Sequence, residues 1–152
     1  MKVTIVCVGK IKEKFFIDAI DEYKKRLTRF CDLKIIEVDE ASKQENIEKK
    51  NEMEGKLLLE KCSGKIVSLD SRGKMLSSPE IAEFIKQKKN NSVSEISFVI
   101  GGSNGLSKEV LDKSDLILSF GKITYPHQLF RVVLTEQIYR AFTIIDGLPY
   151  HK

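Results

Sequence analysis

The sequence predicts an α/β fold, a parallel sheet flanked by helices, built as one domain over residues 1–152. Three observations predict it. Five short apolar runs alternate with five helical patterns from end to end, the order that builds strand–helix–strand units. The runs are apolar almost throughout rather than at every second residue, so both faces of each strand should be covered. A chain of 152 residues, 41% hydrophobic and 32% charged, has enough apolar surface for one such core and too little for two independent ones.

The elements follow in order. Lys2 to Val8 is a β-branched run that stops at Gly9 and reads as a buried first strand. Phe16, Ile20, Tyr23, Leu27 and Phe30 then recur at steps of four and three, one face of a helix. Leu33 to Val38 is the second strand. The charged stretch from about Ser42 to Cys62 reads as a long helix with Ile47, Met53, Leu57 and Leu58 turned inward and a solvated polar face. Lys65 to Asp70 is the third strand, followed by a turn at Ser71-Arg72-Gly73-Lys74. Ser77-Ser78-Pro79-Glu80 starts the next helix: Ser caps free amides, Pro suits a first turn, and Glu80 lies three residues after Ser77. That helix should run to about Lys89. Ile96 to Ile100 is a buried strand, Ser107 to Lys113 a short helix and Leu116 to Phe120 the fifth strand. The last helix is expected from His127 to about Ile145, burying Leu129, Val132, Val133, Ile138, Phe142 and Ile145.

Charge and cysteine content narrow the function classes. The 26 basic and 22 acidic residues leave a net charge of +4, spread evenly along the chain with no basic arm. This permits a nucleic-acid partner without requiring one. The longest stretch free of Asp, Glu, Lys and Arg is Ile96 to Ser107, and about half of it is polar or Gly, so no membrane span is expected. Cys7, Cys31 and Cys62 are odd in number and widely spaced, which excludes a complete disulfide framework and close-spaced zinc patterns. A reducing cytoplasm is the expected location, with no metal.

In open α/β sheets ligands sit beyond the carboxyl ends of the strands, so the loops there carry the candidate chemistry. Gly101-Gly102-Ser103-Asn104-Gly105 follows the fourth strand directly. Three glycines in five positions allow positive φ and close backbone approach. The loop is not the six-position dinucleotide fingerprint, and it lacks the Lys-Ser or Lys-Thr pair of a phosphate-binding loop. A tight turn is the plain alternative; placement after a buried strand favours a ligand site. The loop Gly121-Lys122-Ile123-Thr124-Tyr125-Pro126-His127 mixes backbone-rich positions with apolar side chains, a composition suited to a flat uncharged ring. By itself it also reads as a simple strand-to-helix connection. The ending Pro149-Tyr150-His151-Lys152 is either a frayed terminus or an RNA contact, since Tyr stacks on bases and Lys reaches phosphates. Of the isolated carboxylates Asp70, Glu136 and Asp146, Glu136 reads as structural. No nucleophile elbow or metal-spaced His/Cys cluster is present.

Taken together, Phe98 to Leu106, Leu118 to Gln128, the tail Pro149 to Lys152 and the short start Val6 to Lys10 resemble the ribosomal RNA large subunit methyltransferase H family, of the SPOUT class, along the whole chain. That resemblance implies a homodimer, a C-terminal trefoil knot, and methyl transfer from S-adenosylmethionine to N3 of a pseudouridine in 23S ribosomal RNA within the ribosome. Without it the pattern reads as an open Rossmann-like sheet. Carried over by motif, Leu69, Gly101, Phe120, Gly121, Lys122, Ile123, Thr124 and Tyr125 contact the cofactor, with Leu69 and Ile123 sandwiching its adenine. Tyr150 and His151 are the catalytic candidates, His151 as the base that takes the N3 proton, and Lys152 and Arg131 are the RNA-binding candidates. Leu148, where relatives often carry an acidic residue, and the small Gly121 are the departures. A SPOUT methyltransferase acting on another rRNA or tRNA base, and a ribosome-binding module without catalysis, are the competing readings.

Overall fold

The computed structural model describes residues 1–152. The chain runs β1 (Lys2–Val8), α1 (Lys14–Leu27), β2 (Asp32–Val38), α2 (Ile47–Lys61), β3 (Lys65–Met75), α3 (Ser78–Asn90), β4 (Glu95–Ile100), α4 (Lys108–Asp112), β5 (Leu116–Ser119) and α5 (His127–Ile145). The strands form one sheet in the order β2-β1-β4-β3-β5, with every neighbouring pair parallel.

The strand β1 shows why its residues are apolar at both parities. Val3, Ile5 and Cys7 pack with Leu27, Ile85, Leu134, Ile138 and Phe142 on one face of the sheet. Val6 and Val8 face the opposite way, onto Leu58, Leu106 and Val110. Helices α1, α3 and α5 therefore cover one face and α2 and α4 the other. Burying each such side chain contributes about 1.5–3 kcal/mol, so neither face of the strand tolerates a charge. The start of α3 forms as the sequence predicts: Glu80 Oε2 accepts from the Ser77 amide at 2.7 Å, and Ser77 Oγ accepts from the Glu80 amide at 3.4 Å.

Several boundaries and faces differ from expectation. Helix α2 begins at Ile47, capped by Asn46, whose side chain accepts from the Lys49 amide at 3.0 Å. Its inward face is Glu54, Gly55 and Leu58, whereas Ile47 and Met53 are exposed and Leu57 is only partly covered. The small Gly55 lets α4 approach: a Cβ there would strike the Ser107 side chain. Strand β3 continues through the expected turn to Met75, with Leu69 and Lys74 both registered on Leu118. Residues 70–73 thus bulge out of the ladder, closed by Asp70, which accepts from the Arg72 amide at 2.9 Å. Strand β5 ends at Ser119, one residue early. Phe30 lies beyond the end of α1 yet still stacks on Phe142 with ring centroids 6.0 Å apart. In α5, Leu134 is buried, whereas Leu129 is exposed and Val132 and Val133 are half-buried. No helix is long and apolar enough to cross a membrane.

Candidate functional site

Strands β4, β3 and β5 are neighbours, so the loops leaving their carboxyl ends meet over one edge of the sheet and enclose a cleft of about 460 Å³. This is within the size range of small-molecule sites. Of the eight residues assigned to the cofactor by resemblance, seven line it: Leu69, Gly101, Phe120, Gly121, Ile123, Thr124 and Tyr125. Lys122 does not and is exposed.

The cleft is shaped mainly by backbone. A Cβ on Gly101 would collide with the Gly105 carbonyl, and Gly105 itself has φ +82°, a conformation that favours glycine. The Gly105 amide donates to the Gly102 carbonyl at 3.0 Å, closing the turn. On the opposite wall Gly121 has φ +102° and its amide donates to Ser119 Oγ at 3.1 Å. Phe130, on the first turn of α5, packs its ring 5.2 Å from that of Phe120 and 5.4 Å from that of Tyr125, stiffening the wall. Ile123 remains 74% exposed at the rim, where an apolar ring entering the cleft would cover it.

Asp70, Ser103, Asn104, His127 and Phe130, none of them assigned to the cofactor from the sequence, also line the cleft; Asp70 read there as an isolated carboxylate, and Ser103, Asn104 and His127 lay within the two candidate loops. Asp70 holds Arg72 through two side-chain bonds of 2.9 and 2.8 Å. That guanidinium keeps the carboxyl below the usual carboxylate range. The only sign of this pair was its position after a strand. Two further residues support the glycine loop from α2. Asn51 Nδ2 donates to the Asn104 carbonyl at 3.0 Å, and Glu54 accepts from the Ala41 amide at 3.1 Å while its other oxygen lies under Gly102. Asn51 Oδ1 and Glu54 Oε2 are buried without a partner in the chain. Hydrophobic periodicity has no signal for a buried carboxylate, which is why this face of α2 read as solvated.

The tail lies elsewhere. Tyr150 donates to Glu136 Oε1 at 3.0 Å, and Arg140 grips the same oxygen with bonds of 2.6 and 3.0 Å. The Arg140 guanidinium lies 4.7 Å from the centre of the Tyr150 ring, and Tyr139 meets that ring edge-on at 4.8 Å. Burial, together with Tyr23 and the Glu136 carboxylate, pushes the Tyr150 phenol well above its ordinary pKa. Glu136 is structural, as the sequence suggested. His151 Nδ1 stands 3.4 Å from Arg140 Nη1, and His151 and Lys152 are exposed. Glu136 and Arg140 are roughly 14 and 20 Å along α5 from His127 at the cleft, at 1.5 Å per residue. No tail residue lines the cleft of its own chain.

Arg131 has a different place from the one expected of an RNA ligand. Its side chain is 2% exposed; it donates to the Val8 carbonyl at 2.5 Å and to Glu37 at 3.3 Å. It ties α5 to the ends of β1 and β2, where burying a guanidinium is tolerable because an acceptor and a carboxylate are waiting. Position 131 recurs with 134, 135 and 138 on the buried face of α5, a placement the sequence showed but its charge disguised. No cluster of His, Cys, Asp or Glu is arranged to hold a metal ion.

A parallel sheet with a cleft over β4, β3 and β5 defines an α/β protein with a site sized for a small molecule beyond the carboxyl ends of its strands. Comparison with known proteins makes this specific. A family model described as a predicted SPOUT methyltransferase matches residues 1–151, and the chain belongs to that family. Two curated relatives bear the name ribosomal RNA large subunit methyltransferase H. One, from Carboxydothermus hydrogenoformans, is 51% identical over 159 residues, and one from Clostridium botulinum (strain Okra / Type B1) is 52% identical over 161 residues; each match spans 100% of both chains. Among solved structures, a probable methylase family protein from Haemophilus influenzae superposes with a TM-score of 0.56 at 15% identity, covering 99% of this chain and 70% of that one, a likeness of fold.

Proposed function

We propose that the protein transfers a methyl group from S-adenosylmethionine to N3 of a pseudouridine in 23S ribosomal RNA, acting in the cytoplasm on the assembled ribosome. Full-length identity of 51–52% to relatives of that name supports the reading. The observation that carries it is the meeting of Leu69, the glycine loop, Phe120, Gly121 and residues 123–125 at one cleft. The cleft fits the cofactor: Leu69 and Ile123 offer apolar faces for adenine, and loop amides and carbonyls can read its edge. When bound, S-adenosylmethionine supplies the activated methyl; the chain's own residues align the acceptor, exclude water and move one proton.

The tail supplies the groups for that proton. His151 takes it from N3 once its Nδ1 leaves the Arg140 contact, and Lys152 faces the charge that develops on the base. Because the tail is folded far along α5 from its own cleft, a homodimer that sets one subunit's tail at its partner's cleft completes the site. The C-terminal trefoil threading and a single domain belong to the same reading. Alignment within near-attack distance provides much of the rate in such a transfer, so a small chain without a separate RNA-binding domain suffices if the ribosome presents the nucleotide in fixed shape.

Labelled methyl transfer from S-adenosylmethionine to ribosomes lacking the modification, with naked 23S rRNA alongside, tests this. Label on one pseudouridine in ribosomes alone is expected. Cofactor binding with no label, or label on another base, would overturn the acceptor assignment.

A further inference from the structure

Helix α1 ends in an unusual concentration of positive charge. Lys24, Lys25 and Arg26 occupy its last turn, and Arg29 follows just beyond it. The negative end of a helix dipole favours a cation or two there, but it does not explain Arg29 or what lies alongside. Only Arg26 has an acidic partner, Glu22 at 2.8 Å; Lys24, Lys25 and Arg29 form no ion pair. Lys25, Thr28 and Arg29 form a crest between two depressions. One is a broad groove floored by the amino-terminal ends of β1, β2 and β4; the other is shared with Arg26 and Tyr139. Asp21, Asp32 and Glu95 face the broad groove as well, and Glu95 is already paired with Lys2 at 3.1 Å.

This crest is mechanically joined to the tail. The Arg26 guanidinium lies 5.6 Å from the centre of the Tyr23 ring and 5.8 Å from that of Tyr139. Tyr23 and Tyr139 are 6.0 Å apart, and Tyr139 and Tyr150 4.8 Å apart. Arg140 covers Tyr150 and reaches His151. An unbroken series of rings and guanidinium groups thus fixes α1 to the tail, so wherever the tail meets its acceptor the crest arrives with it. Within one chain the crest stands at the end of the sheet opposite the cleft, about 20 Å away by the length of a seven-residue strand, and so cannot serve its own cleft.

We propose that Lys24, Lys25 and Arg29, with Arg26 as the link to the tail, hold backbone phosphates of the acceptor RNA beside the nucleotide that the same subunit's tail addresses. This rests on the methyltransferase reading above. Lys25 and Arg29, exposed on the crest, and the half-buried Lys24 beside it have no ion-pair partner, an arrangement that suits phosphates, which position the substrate without reading sequence. The site is separate from the cofactor cleft, so its loss should act on RNA and leave S-adenosylmethionine alone.

The test compares Lys25→Ala/Arg29→Ala with Lys56→Ala/Lys61→Ala, two exposed lysines of α2 on the other face of the sheet. Ribosome binding by sedimentation, KM for ribosomes across a salt series, cofactor affinity and dimer state are measured for each. The crest variant is expected to weaken ribosome binding and raise KM on the order of tenfold, and to flatten the slope of log affinity against log salt by about 1.5, as for two lost phosphate contacts. Its cofactor affinity and dimer state should match those of the α2 variant. Unchanged binding and slope would overturn the proposal, as would a loss that tracks dissociation into monomers, which would make the crest a contact with a second protein chain. Crest-dependent ribosome binding without any methyl transfer by the unaltered protein would support the crest and overturn the assigned reaction.

Discussion

The cleft and the tail are opposite solutions to building a site. The cleft is shaped by main chain: its glycines adopt conformations or approaches that a side chain forbids, over three adjacent strand ends. The tail is held by side chains, with Tyr150 and Arg140 converging on one oxygen of Glu136. A main-chain site is rigid and suits a cofactor that must be bound the same way each turnover. A side-chain site can let go, which suits groups that must meet a large substrate. Under the proposed function the cleft carries affinity for the cofactor and the tail carries turnover, and variants can separate them.

The largest effect should come from the tail. His151→Ala is expected to lower turnover on the order of 100-fold to 10,000-fold, the usual scale of a lost general base, while cofactor affinity measured by calorimetry stays within about twofold. A parallel fall in affinity would merge the two regions and break the comparison.

Gly101→Val should do the reverse, weakening cofactor binding by about 10-fold or more, because the Cβ meets the Gly105 carbonyl and the loop must shift. Titration of the purified variant with S-adenosylmethionine checks this, with circular dichroism showing that the fold survives.

Arg131→Ala should act on neither region directly. It leaves the Val8 carbonyl and Glu37 without their partner and is expected to cost about 3 kcal/mol of stability, read by urea unfolding. An unchanged midpoint with weakened ribosome binding would return Arg131 to the RNA surface.

The smallest effect concerns pH. Burial pushes the thiols of Cys7, Cys31 and Cys62 up to about 11 from an ordinary value of 9.0. A thiol with a raised folded-state pKa stabilises the fold fully below its unfolded value, and the contribution is lost as pH climbs through the folded one. Stability should therefore fall between about pH 9 and 11, and replacing Cys7 with Ser should blunt that fall. A flat profile would show that the thiols do not contribute.

Much of this was legible in the sequence. Lys2–Val8 formed as read because an apolar run reports burial directly, and α5 kept its expected bounds while burying Leu134, Ile138 and Phe142 rather than Leu129, Val132 and Val133. The glycine loop was legible because its tight turn and close approaches favour glycine, whereas residues 120–125 were assigned only through the family resemblance, since alone they read as a strand-to-helix connection. What misled was burial of polar groups. Glu54 and Arg131 sit inside, bonded to main chain, and a pattern based on hydrophobicity assigns both to solvent. The extension of β3 to Met75 was hidden for a related reason: Ser71 to Lys74 has turn composition, but pairing with β5 recovers the strand after the bulge. The parking of the tail on α5 depends on Glu136, about two and a half turns from His127 at the cleft, and no local pattern encodes such a contact.

In the proposed homodimer the site is shared between two copies, cleft from one and tail from the other. Mixing Gly101→Val protein with His151→Ala protein, each nearly inactive alone when S-adenosylmethionine is kept well below the weakened affinity of the first, tests it by methyl transfer to ribosomes after subunit exchange. A shared site restores about a quarter of the unaltered activity per subunit, since about half of the dimers are mixed and each holds one intact pairing. No recovery, with exchange shown by mass spectrometry, would mean that each chain completes its own site and would contradict the account.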